Sequence, residues 1–328
     1  MELKRVGIIG SGMCVPDGII TNDDLKAMVD TSDEWITTRT GIKERRQSAP
    51  DQACSDMATE AAQRALEVAG LKPQDIDLIV LGTVTPDHLL PSTACIVQNN
   101  LGARNAGAFD ISAACNGFIS ALSTGSKFIQ TGEIRNALII GAEALTKFIN
   151  YKDRTSCILF GDGAGACVIS DTFKGKEILS AEIGADGSGG SFMILPAGGS
   201  RMPTTPETAA SDDHYIIVRG REVYKFAVNK MVYLINKARE VNPDLEFGKV
   251  VPHQVNMRII ESAREKLGLQ PKDLLINIDK YGNTSAASVP IMLHEAIEAG
   301  QLDDSEGKLV ILCAFGAGLT WGYVALKW

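Results

Sequence analysis

Three residues able to do covalent or proton chemistry stand where apolar runs break into tight corners: Cys115, His253 and Asn283. Phe109-Asp110-Ile111-Ser112-Ala113-Ala114-Cys115-Asn116-Gly117-Phe118 reads as a buried strand, a turn and a helix start. Leu122, Gly125 and Ile129 follow at helical spacing, and Gly132 is the stop. Most of the seven cysteines fit buried, inert positions. Cys115 differs, because the positive end of a helix favours its thiolate and small neighbours (Ala113, Ala114, Gly117) leave the sulfur approachable. Of the four histidines, His253 alone ends an apolar strand after a proline, whereas His88, His214 and His294 fall in turn, loop and helix settings. Asn283 lies in a Tyr-Gly-Asn-Thr-Ser corner with its amide free to donate. A nucleophilic cysteine with a histidine and an asparagine suits acyl transfer through a thioester. Gly316-Ala317-Gly318, after a buried strand, can bring a backbone N–H beside that of Cys115 as an oxyanion hole.

The elements that must position these corners alternate as strands and helices. Strands are expected at Val6–Gly10, Ile76–Leu81, Ala137–Gly141, Ala164–Ile169, Lys249–Val251, Leu274–Ile278, Leu309–Phe315 and Thr320–Leu326. Helices are expected from Ser55 to Gly70, from Ser92 to Gly102, through Val223–Ala238 to Asn242-Pro243, and from Asn256 to Gly268. The order helix, Pro-Asp linker, buried strand, polar strand end and capped helix occurs around residues 55–102 and again around 222–268. Two similar α/β halves, residues 1–171 with the cysteine and 172–328 with the histidine and asparagine, are therefore expected to share one site. Residues 187–213 read as a long surface excursion, and Arg39, Lys43, Arg45 and Arg46 as a local basic cluster.

The totals narrow the class. The chain has 328 residues, 45% of them hydrophobic, enough for a large core. A net charge of −8 argues against nucleic-acid binding. No run is long enough for a membrane span, and the scattered, odd-numbered cysteines have no zinc-ligand spacing, so a reduced, cytoplasmic protein without a metal is expected. Papain-like proteases use the same three residue types, but usually with disulfides and a secretion signal. A non-catalytic binding subunit would be expected to lack the nucleophile.

End to end, the chain resembles the β-ketoacyl-acyl carrier protein synthase III family of the thiolase superfamily. The resemblance is carried by Thr31-Ser32-Asp33-Glu34-Trp35-Ile36, Arg39-Thr40-Gly41-Ile42, the Cys115 segment and Phe160-Gly161-Asp162-Gly163-Ala164-Gly165-Ala166. Val251-Pro252-His253-Gln254, Gly282-Asn283-Thr284-Ser285-Ala286-Ala287-Ser288 and Phe315-Gly316-Ala317-Gly318-Leu319-Thr320-Trp321-Gly322 complete it. It implies a five-layered αβαβα thiolase-like fold, a homodimer and a ping-pong condensation of acyl-CoA with malonyl-acyl carrier protein, with no cofactor beyond the CoA thioester. Cys115 would carry the acyl group, His253 and Asn283 would stabilise the decarboxylation enolate, and the amides of Cys115 and Ala317 would hold the oxyanion. Trp35, Arg39 and Arg154 would bind CoA, Lys225 and Arg258 would dock the carrier protein, and Leu90 would border the acyl pocket from the dimer partner. The starter acyl group, acetyl or a longer or branched chain, stays open, as does a related role in secondary metabolism.

Overall fold

The computed structural model describes residues 3–328. Its strands are β1 (Gly7–Cys14), β2 (Gly18–Thr21), β3 (Glu44–Gln47), β4 (Leu78–Gly82), β5 (Gly107–Ile111), β6 (Asn136–Glu143), β7 (Gly163–Ser170), β8 (Glu177–Ala185), β9 (Met193–Ile194), β10 (Ile217–Val218), β11 (Phe247–Pro252), β12 (Leu309–Gly316) and β13 (Thr320–Lys327). Its α-helices are α1 (Asn22–Lys26), α2 (Asp33–Thr40), α3 (Cys54–Ala69), α4 (Thr93–Leu101), α5 (Gly117–Gln130), α6 (Arg154–Cys157), α7 (Pro206–Ala210), α8 (Gly220–Val241), α9 (Met257–Leu267), α10 (Ile278–Tyr281) and α11 (Ser288–Glu298).

The strand order β5-β4-β6-β7-β1 builds one half and β11-β12-β13-β8 the other, and β1 meets β8 through the single pair Gly7 and Glu177. In both halves the inner strands are parallel (β5 and β6 to β4, β11 to β12) and the next two turn antiparallel. The place that β5 fills is held in the second half by a lone parallel bridge from Leu274 to Val250. No strand forms at 274–278 as the sequence suggests, because α10 begins at Ile278.

Buried on both faces, β4, β6, β7 and β12 carry near-continuous apolar runs, as covered strands must. Helices α5 and α11 fill the layer between the two sheets, α3 and α4 cover one outer face, and α8 and α9 the other. This is the five-layered thiolase arrangement. Helix stops fall where glycine takes a left-handed conformation, at Gly70, Gly102 and Gly268.

Three local expectations change. Ser55 does not cap α3, since its N–H and hydroxyl bind Asp87 instead. Arg45 leaves the local basic cluster: it is 1% exposed and donates to the carbonyls of Ile20 and Ile158 and to Asn22 Oδ1. The 187–213 segment is not only an excursion. Within it β9 pairs with β10, and the half-buried Met193 and the more exposed Ile194 and Leu195 line a cavity beside Cys115.

Candidate active site

Cys115 sits in a one-turn 3-10 segment, Ala114–Asn116, that runs straight into α5. Ala114 holds φ at +48°, a conformation costly for a residue with a Cβ, and it aims the following sulfur into the interior. A Cβ on Gly316 would lie 2.6 Å from the Cys115 amide nitrogen, so only glycine lets the end of β12 come this close. Thr320 Oγ1 ties the same region down by donating to the Ala113 carbonyl at 2.8 Å. Ala317 has no left-handed φ, so alanine is tolerated between the two glycines.

The helix N-terminus acts on Cys115 in the expected direction, but burial outweighs it. Only 4% exposed, the thiol is pushed up to about 12 by loss of solvation, which the neighbouring Ser285 hydroxyl opposes and the charge of Glu143 reinforces. The resting group is a thiol, not the thiolate that the corner alone suggests.

His253 follows Pro252 at the end of β11, and its N–H donates to the Cys313 carbonyl at 2.8 Å. Its ring is fully buried against Phe315, with centroids 5.8 Å apart. Burial pulls its pKa down to about 3, so the imidazole is neutral at physiological pH. Nδ1 lies 2.7 Å from Ser288 Oγ, which also accepts the Gln254 N–H at 3.3 Å. We assign the hydroxyl's own proton to Nδ1, which places the imidazole proton on Nε2. Nε2 has no protein partner.

Asn283 is oriented just as tightly. Its Oδ1 accepts the Ser285 N–H at 2.9 Å, leaving Nδ2 as the free donor. Backbone bonds from Asn283 N–H to the Leu159 carbonyl and from Gly161 N–H to the Asn283 carbonyl fix the corner. Nearby, Asp162 of the Phe-Gly-Asp-Gly motif is fully buried and accepts from Ser48 and Thr146, so its task is to join loops.

Cys115, His253, Asn283, Gly316 and Ala317 line one narrow cavity. A second, larger cavity of about 290 Å³ opens on the other side of Cys115, with a wall that includes Leu145, Phe148, Phe160, Met193, Leu195 and Ile216. Leu90 is not on that wall: it is 83% exposed on the surface beside Leu89, so within one chain it borders no acyl pocket. On the surface, the guanidinium carbons of the exposed Arg39 and Arg154 lie 4.5 and 4.7 Å from the Trp35 ring centroid, which brings together the three residues expected to serve CoA. Lys225 on α8 and Arg258 on α9 are exposed on two helices that pack together. Sequence reading missed Ser285, Ser288 and Glu143. Each looks like an ordinary polar residue until the fold brings it beside the cavity. Among the described residues no cluster of three potential metal ligands occurs, and no helix is long and apolar enough to cross a membrane.

Fold and site together define an acyl-transferring condensing enzyme of thiolase fold. Residues 109–187 match the model of 3-oxoacyl-[acyl-carrier-protein] synthase III, and residues 242–328 match that of its C-terminal part. Beta-ketoacyl-[acyl-carrier-protein] synthase III of Caldanaerobacter subterraneus subsp. tengcongensis is 54% identical over 100% of this chain and 99% of its own length. The synthase of the same name from Symbiobacterium thermophilum is 50% identical over the same shares. The crystal structure of the Aquifex aeolicus synthase III superposes with a TM-score of 0.89 at 45% identity, covering 98% of this chain and 100% of that one. This chain belongs to the β-ketoacyl-[acyl-carrier-protein] synthase III family.

Proposed function

We propose that this protein catalyses the initiating condensation of type II fatty-acid synthesis. An acyl-CoA, with acetyl-CoA as the simplest starter, and malonyl-acyl carrier protein become 3-oxoacyl-acyl carrier protein, CoA and CO₂. The observation that carries the reading is the narrow cavity in which a buried thiol faces two neutral, pre-aimed donors.

Cys115 takes the acyl group from CoA. Malonyl-acyl carrier protein then loses CO₂, and the enolate oxygen accepts from His253 Nε2–H and Asn283 Nδ2–H. The carbanion attacks acyl-Cys115 while the amides of Cys115 and Ala317 hold the tetrahedral oxyanion. Neutral donors suit this step, because an imidazolium would protonate the carbanion. The thioester itself stabilises the α-carbanion, so the chemistry calls for no further cofactor.

Trp35, Arg39 and Arg154 form the CoA rim, where a cation–π stack can open to admit the adenine. Lys225 and Arg258 offer positive charge to an acidic carrier protein. The exposed Leu89 and Leu90 pair, 84% and 83% exposed, suits burial in a homodimer, where Leu90 of a second copy closes the 290 Å³ acyl cavity. Residues 1–171 and 172–328 are the two halves, and the enzyme works in the cytoplasm.

Single-turnover transfer of label from acetyl-CoA to Cys115, followed by labelled CO₂ release from malonyl-acyl carrier protein, tests the reading. Failure of either half-reaction overturns it. A second reading, priming of a polyketide, draws on the 33% identity and TM-score of 0.89 to the priming β-ketosynthase of the R1128 polyketide biosynthetic pathway. A panel of acyl-CoA starters separates the two by which chain length acylates fastest.

A further inference from the structure

The proposed function leaves one proton without a destination. Cys115 must lose its proton to attack a thioester, yet its thiol is buried and His253 already carries a proton on the nitrogen that faces the site. One buried group that the condensation does not otherwise use lies within reach. Glu143, at the end of β6, is fully buried and pairs with no lysine, arginine or histidine among the described residues.

Its surroundings are built to receive charge. Oε2 accepts from Thr85 Oγ1 at 2.7 Å, from Val84 N–H at 3.1 Å and from Thr83 Oγ1 at 3.2 Å. Both threonine hydroxyls already accept backbone N–H groups, Thr83 from Thr85 at 3.0 Å and Thr85 from Ala144 at 2.8 Å, so their own protons point at the carboxylate. Oε1 accepts from Ser285 Oγ at 3.0 Å, and Ser285 lines the same cavity as Cys115, with its hydroxyl beside the thiol. Ser285 itself is held at φ +49°, a strained conformation kept at the one place where its hydroxyl bridges sulfur and carboxylate. A buried carboxylate with no cation is costly, which argues for a use.

We propose that Ser285 and Glu143 form a proton relay for Cys115, a step that rests on the acyl transfer described above. As Sγ bonds to the acyl carbonyl carbon, the thiol proton passes to Ser285 Oγ while the Ser285 proton passes to Glu143 Oε1. Collapse of the tetrahedral intermediate breaks the bond to the CoA sulfur. The leaving thiolate takes the proton back along the same chain, giving acyl-Cys115, CoA thiol and an ionised Glu143, with no net proton gained or lost. In this relay Ser285 takes the proton of the reacting sulfur directly, which makes it a catalytic residue. Glu143 acts through it.

The titratable groups facing Glu143 are Cys115 and, from the start of α3, Cys54, while Asp87 and Asp110 face Cys54. Burial pushes both thiols up, so neither adds charge near pH 7. Burial also pushes Glu143 up to about 7, against the four donors, which matches its affinity for a proton to working pH.

The test is single-turnover acylation of the full-length protein by labelled acetyl-CoA across pH 5.5–9.5, with CO₂ release from malonyl-acyl carrier protein measured in parallel. Wild-type acylation should rise with pH through one ionisation near 7. Glu143→Gln should lose that limb and fall by about 100-fold at pH 7, within the usual span of general-base catalysis. Its loss in acylation should exceed its loss in decarboxylation at least tenfold. Glu143→Asp should recover part of the rate and restore the limb, and Ser285→Ala should behave like Glu143→Gln. If Glu143→Gln keeps the wild-type profile, or if both half-reactions fall equally in Glu143→Gln and in Ser285→Ala, the relay is wrong. Absence of acylation in the wild type would instead overturn the proposed function.

Discussion

The two halves place different chemistry in the same slot. Gly82 of β4 pairs with Gly141 of β6, and Pro252 of β11 pairs with Cys313 of β12. One step past each pair on the first strand stand Thr83 and His253, and two steps past on the second stand Glu143 and Phe315. In the first half the slot holds a hydroxyl donating to a carboxylate at 3.2 Å. In the second it holds an imidazole packed edge-on against a phenyl ring at 5.8 Å. The helix corners repeat as well. Ala114 and Ser285, at φ +48° and +49°, each open a 3-10 turn that runs into a central helix. Burial acts on both groups, raising Glu143 to about 7 against its polar donors and keeping the imidazole of His253 neutral. One scaffold supplies both a proton acceptor and a fixed donor.

The comparison can be broken at several points. The largest effect should come from Cys115→Ser, which abolishes self-acylation and condensation because a serine hydroxyl is a far weaker acid than the thiol and the relay carboxylate cannot ionise it. Retention of label on the protein after incubation with acetyl-CoA is the readout.

Next are His253→Ala and Asn283→Ala. Each should keep acylation and lose about 10²–10³ in malonyl decarboxylation, the usual consequence of removing one oxyanion donor. The double variant should be less than additive, because both donors serve one oxygen. If His253→Ala stops acylation as fully as Cys115→Ser does, the histidine is the base and the division between the halves collapses.

The slot chemistry also predicts stability slopes of opposite sign. Glu143 is raised from 4.5 to about 7 in the fold, so its contribution is fully present below 4.5 and is lost as pH rises through 7. Replacing it with glutamine should therefore gain relative stability on going from pH 5 to pH 8, by about 3 kcal/mol. His253 is lowered from 6.5 to about 3, so its contribution is present above 6.5 and is lost as pH falls toward 3. Wild type should thus lose its margin over His253→Ala as the solution is acidified. Chemical denaturation at a series of pH values reads both slopes, and parallel slopes would contradict the assignment.

Ser288→Ala should free the tautomer of His253 and slow decarboxylation about 3–10-fold, the worth of one hydrogen bond, with acylation unchanged. The smallest effect belongs to the surface: Arg258→Glu should raise KM for malonyl-acyl carrier protein several-fold in low salt and less in high salt, leaving acylation by acetyl-CoA alone.

Much of this was legible from residue order. The alternating strands and helices, the strand-end positions that bring Cys115, His253 and Asn283 to one cavity, and the close approach at Gly316 follow from period, glycine placement and strand ends. What escaped depends on contacts across the chain. Glu143 ends an ordinary apolar strand, and only folding sets Ser285, 142 positions away, against it. Arg45 reads as one member of a local basic cluster because no local pattern marks the carbonyls of Ile20 and Ile158 that enclose it. The thiolate expected at Cys115 rested on the helix end alone, and the degree of burial is a property of the whole fold.

The segment at 187–213 has a consequence for how such a protein can diversify. Met193, Ile194 and Leu195 face the 290 Å³ cavity from a stretch that contributes nothing to the main sheet and supplies none of the three corner residues. Side-chain volume at Ile194 and Leu195 can drift by a methylene at a time, reshaping the space for a straight or branched starter, whereas Met193 also lines the narrow cavity of His253 and Asn283 and is bound to it. Part of the substrate range is thereby inherited on a piece of chain apart from the catalytic residues, so a lineage can alter its lipid tails and keep its chemistry.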